Sequence, residues 1–115
     1  MEHLGNYEHT LGQDSHKYFH NLCIEFKKFV QKSKDPALLE IEMERLINAS
    51  KQMKWKREKQ EIWKKDAGEK AMGKLWNEFS RYVLTLKKNP EKADAKDLIE
   101  ALCTIESLVE QLKVV

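Results

Sequence analysis

Apolar residues recur three and four positions apart over four stretches of this chain, and polar or turn-forming breaks separate them. Phe19, Leu22, Phe26 and Phe29 follow at 3, 4 and 3, with Tyr18, Cys23 and Val30 widening the stripe. At 3.6 residues per turn this spacing lines one side of an α-helix. Asp14 or Ser15 stands where a cap is expected, and Lys27, Lys28, Lys32 and Lys34 gather where the macrodipole favours cations. Asp35-Pro36 closes this helix and opens the next, because proline disfavours α geometry before it and suits the first helical position.

Leu39, Met43, Leu46, Ser50 and Met53 carry the second stripe at 4, 3, 4 and 3. Beyond Met53 the repeat falls on Arg57, while Trp55, Ile62 and Trp63 lie around the helix from it. Either a long helix changes the face it buries, or it breaks between Lys54 and Gly68. The expected place is near Asp66-Ala67-Gly68, where Asp can cap and Gly weakens the helix by about 1 kcal/mol. Met72, Leu75, Phe79, Tyr82 and Leu86 restore the repeat, flanked by Trp76 and Val83, and Pro90 ends that helix near Asn89. Asp94 opens the last helix, in which Leu98, Leu102, Ile105, Val109 and Leu112 alternate at 4 and 3 beside Ile99 and Leu108.

A seven-residue apolar repeat in four helices joined by short loops predicts an all-α four-helix bundle with heptad-like antiparallel packing. Residues 14–115 form that single domain. Residues 1–13 contain two glycines and no apolar period, and read as a loose N-terminal arm.

Composition narrows the class. The 115 residues include four Gly and two Pro, too few for the turns of a sandwich or barrel. No run approaches the ~20 apolar residues of a membrane span, and no secretory signal opens the chain. The expectation is a cytoplasmic protein without membrane contact. With 21 basic and 19 acidic residues the net charge is +2, short of the excess typical of dedicated nucleic-acid binders. Cys23 and Cys103 belong to no CxxC pair and both fall at apolar helical positions, so two buried free thiols are expected.

The charge is unevenly spread. Residues 51–66 hold seven basic and three acidic side chains, a net +4, with two tryptophans among them. On a helix Trp55, Glu58, Lys59 and Ile62 would share a face, with Trp63 beside them. Arg and Trp are frequent interface anchors, and Trp55, Lys56, Arg57, Lys59, Trp63 and Lys64 are the candidate partner-binding residues. The expected function is binding to another protein with an acidic surface, as adaptor, chaperone, inhibitor or subunit. The alternative is nucleic-acid binding through segment 51–65, its indoles stacking on bases. Leftover apolar surface also leaves room for homodimerisation.

His16, His20 and Cys23 run at i, i+4 and i+7 on one side of the first helix, with His3 and His9 in the arm as further donors. That is a conceivable soft-metal site. However, Cys23 fits the apolar stripe, and no second cysteine stands near in sequence, so no metal or other cofactor is expected. The Glu-x-x-His pairs of di-iron bundles, Gly-rich phosphate loops, GxSxG and HExxH are absent, and the chain is not read as an enzyme. Glu40, Glu42 and Glu44 alternate around their helix and read as solvated surface.

Overall fold

The protein is described here by a computed structural model giving the backbone of residues 2–55 and 57–113, and the side chains of residues 15–55 and 59–112. The described residues form five α-helices and one short 3-10 turn: α1 (Glu2–Lys32), α2 (Pro36–Gln52), α3 (Arg57–Lys65), α4 (Ala67–Lys88), the turn Pro90–Lys92, and α5 (Lys96–Lys113). The four long helices close a ring in which α1 packs on α2, α2 on α4, α4 on α5 and α5 back on α1. Neighbours run antiparallel. Lys27 reaches Glu106 and His20 reaches Glu110, so α1 and α5 run in opposite directions. At one end of the α2–α4 seam Glu40 meets Lys87, while Ser50 and Met72 line the other. The all-α bundle expected from the repeat is the fold.

The stripes fill its interior. Phe19, Leu22, Cys23, Phe26 and Val30 of α1, Leu39, Met43 and Leu46 of α2, Leu75, Phe79, Tyr82 and Leu86 of α4, and the five periodic residues of α5 are all buried. Phe26 and Phe79 bring their rings to 6.0 Å across the core. Asp35 caps α2 as expected, its Oδ1 accepting from the Ala37 N–H at 3.0 Å ahead of Pro36. The Asp94 carboxylate accepts from the Lys96 N–H at 3.0 Å and starts α5.

Three local expectations change. The helix of α1 begins at Glu2, so the backbone of residues 2–13 is helical where the pattern reads as a loose arm. That stretch has no proline to stop a helix, and two glycines weaken one without breaking it. Neither Asp14 nor Ser15 therefore caps α1. Ser15 is instead buried within the helix, and its Oγ accepts from the Lys54 N–H at 3.0 Å.

Secondly, the chain between α2 and α4 is interrupted twice. One interruption stands at Asp66, inside the expected Asp66–Gly68 region, although the Asp66 side chain makes no capping hydrogen bond. The other comes earlier, at Met53–Trp55, where Met53 turns extended (φ −62°, ψ 138°) and ends α2. Met53 stays buried as the stripe predicts, but from an extended backbone. Thirdly, Cys103 is exposed while Cys23 is buried, and both are free thiols. Cys103 lies at the edge of the α5 stripe, beside the Lys27 ammonium at 3.7 Å.

Candidate functional site

Two interruptions swing the short α3 across the end of the bundle where α1 enters its core. Trp63 acts as the plug. Only 5% exposed, it meets the Phe19 ring edge-on at 5.9 Å and the Trp55 ring at 5.4 Å. It lies so close over α4 that Gly68 has no room for a side chain: a Cβ there would stand 2.5 Å from Trp63 Cδ2, and nearer still to the Trp63 carbonyl oxygen. Trp55 leaves the helical path in the α2–α3 connection and packs half-buried on His16, ring centroids 4.1 Å apart. Its indole N–H is buried with no acceptor among the described residues.

The expected arrangement of two indoles on one helical face is therefore not what forms. Trp63 belongs to the core, and Trp55 and Ile62 stand on separate segments. Lys59 is half-buried and Lys64 exposed, whereas Lys56 and the Arg57 side chain lie outside the described residues. What the fold does assemble is a polar cleft of about 430 Å³ lined by Lys51, Lys54 and Lys64 with Gln52, Gln60, Met53 and Trp55. Three ammonium groups without a carboxylate in the lining make this corner a place for anionic groups.

Along the seam between α2 and α4 runs a second feature, which the sequence pattern did not single out. Two cavities of about 490 and 660 Å³ adjoin there and share Ile47 and Trp76. Phe79, Val83 and Met72 line them, and Trp76 stands half-exposed with its ring 6.0 Å from that of Phe79. Leu84 on the rim is likewise about half-exposed. Opposite the open stretch at Gly73 nothing approaches within 4 Å of where a Cβ would stand. Glu40 and Glu44 border one end, with Lys87 bound to Glu40 at 3.4 Å across the groove. Lys51 and Lys64 border the other end, facing Glu69, and continue into the basic cleft. Heptad logic reads Trp76 as a flank of the core stripe and the glutamates as solvated. Their alignment along one seam depends on how α2 and α4 diverge.

The histidine and cysteine candidates do not converge on a common centre. His16 stacks on Trp55, His20 reaches Glu110 at 3.6 Å, and Cys23 is sealed in the core, where burial first and the Glu106 charge second push its thiol far above the usual range. His3 and His9 lie outside the residues with described side chains. Among the described residues no group of three or more His, Cys, Asp or Glu is placed to hold a metal ion.

Half-buried between α1 and α5, Lys27 Nζ stands 2.8 and 2.9 Å from the two carboxylate oxygens of Glu106. That hydrogen bond holds the Lys27 ammonium above the usual lysine range. The pair ties the ring closed and faces away from the groove. Among the described residues no helix is long and apolar enough to cross a membrane. Comparison with family models, curated proteins and solved structures gives no match to this chain.

Proposed function

We propose that this chain is a protein-interaction module. Its working surface runs from the apolar α2–α4 groove into the basic cleft at the α2–α3 corner. The carrying observation is the half-exposed Trp76 standing over a continuous groove that ends on Lys51 and Lys64. A large aromatic left in solvent beside a preformed apolar channel is the pattern of an interface anchor, and lysines at its end select a partner with carboxylates there. The basic segment keeps the role its composition suggests, through Lys51, Lys54 and Lys64 rather than through the buried Trp63.

The test is capture of tagged protein from nuclease-treated lysate, comparing the native chain with Trp76→Glu and with a Lys51→Glu/Lys54→Glu/Lys64→Glu variant. A protein retained by the native chain and lost from both variants, with helical circular dichroism unchanged, is the expected result. Retention by both variants overturns the proposal. Material that vanishes with nuclease, and whose binding falls steeply with salt, transfers the surface to nucleic acid.

A further inference from the structure

Resting on that reading of the groove, we infer that its occupant is a second copy of this chain, related by a twofold axis lying across α2 and α4. The argument is the charge pattern at the four corners of the groove. On the α2 side Glu40 and Glu44 occupy one end and Lys51 the other, where Lys64 of α3 shares both cavity linings with it. On the α4 side the signs reverse, with Lys87 at the first end and Glu69 at the second. A twofold axis across the helices turns the face end for end. It lays the two glutamates of one copy on the two lysines of the other, and Lys87 on Glu69. Every corner then meets its opposite. Such self-complementarity is what an isologous interface requires. A twofold axis along the helices would set two glutamates against Lys87 alone and two lysines against Glu69 alone, whereas the axis across them matches the numbers as well as the signs, with the exposed Glu40–Lys87 pair exchanging partners.

The apolar positions fit the same operation. Ile47 and Trp76 belong to both cavities, midway along the groove, so the two indoles come together near the axis, with the exposed Leu84 of each copy outside them. From Gly68 to Lys87 the α4 face is about 28 Å long at 1.5 Å per residue. Across a width of two helices this gives on the order of 600 Å² per copy, below the ~800 Å² of a standard interface. An interface below standard size makes the dimer a reversible one.

Sedimentation equilibrium of the full chain from ~1 to ~300 µM tests this. The expected result is a monomer–dimer equilibrium that Trp76→Glu weakens at least about 30-fold, as for loss of a central aromatic anchor. Glu44→Lys weakens it too, and Glu44→Lys/Lys51→Glu on one chain restores it, because the twofold axis pairs these sites between copies. Thermal melts confirm that each variant is folded. A chain that stays monomeric yet captures another protein in a Trp76-dependent way overturns the second copy and leaves the interaction surface standing. A monomer whose captures ignore Trp76 and the lysines overturns both. A dimer indifferent to Trp76→Glu and Glu44→Lys lies on another face, and also overturns the inference.

Discussion

Two glycines five residues apart on α4 should respond to the same substitution with opposite signs. Gly73 faces open space, so Gly73→Ala adds only helix propensity and should stabilise the fold by about 0.5–1 kcal/mol. At Gly68 the added Cβ would press on the Trp63 carbonyl and indole, 2.5 and 2.6 Å from two ring carbons. Backbone cannot rotate aside as a side-chain tip can, so α3 must lift or α4 must shift. Overpacking of this kind costs about 1–3 kcal/mol. Gly68 is also only the second residue of α4, where propensity counts for less than in a helix interior. Gly68→Ala should therefore destabilise by roughly 1–2 kcal/mol. The two variants would differ by about 1.5–3 kcal/mol. With a urea m-value near 1.5 kcal/mol/M that separation is about 1–2 M in midpoint. Urea unfolding followed by circular dichroism, at a dilution where the chain is monomeric, measures it directly. Equal stabilisation by both substitutions would refute the docking of Trp63 against Gly68.

Other consequences are as direct. One thiol, that of Cys103, should react promptly with a disulfide reagent in the native state, and Cys23 should react only on unfolding; two prompt equivalents would mean that the core is open at Cys23. Ser15→Ala removes the acceptor of the Lys54 N–H and should destabilise by about 1 kcal/mol while speeding tryptic cleavage after Lys54; an unchanged cleavage rate would argue against that tether. The Lys27 ammonium has a raised pKa when folded, so its contribution is complete below the unfolded lysine value of about 10.4 and fades as pH rises through the folded one. Stability from pH 9 to 11.5 should thus fall more steeply for the native chain than for Lys27→Met, and parallel curves would show that the Glu106 pair contributes nothing.

Much of the bundle was legible because burial on a helix has a period. Leu98, Leu102, Ile105, Val109 and Leu112 are buried as their spacing requires, and so are Leu39, Met43 and Leu46. Asp35-Pro36 could be read to the residue, because proline chemistry is local. What the pattern missed depends on how segments meet. Trp63 is an anchor of the fold rather than of the surface because α3 turns back at Asp66, a rotation that no local preference encodes. Trp76 sits beside a core stripe just as Val83 does, yet Val83 is buried and Trp76 is not. The Ser15–Lys54 bond joins residues too distant in sequence for either to announce it. The groove becomes visible only once Glu44, Ile47 and Trp76 are brought to one seam.

The three indoles stand in graded surroundings: Trp63 sealed in the core, Trp55 half-covered against His16, and Trp76 half in water. The chain thereby carries an optical gauge of its own state. Emission from Trp63 should lie furthest to the blue and resist aqueous quenchers, whereas Trp76 should emit to the red and be quenched first. Single replacements of each indole by phenylalanine would separate the contributions. Loosening at the plugged end and covering of the groove would then shift different parts of one spectrum, with no added label.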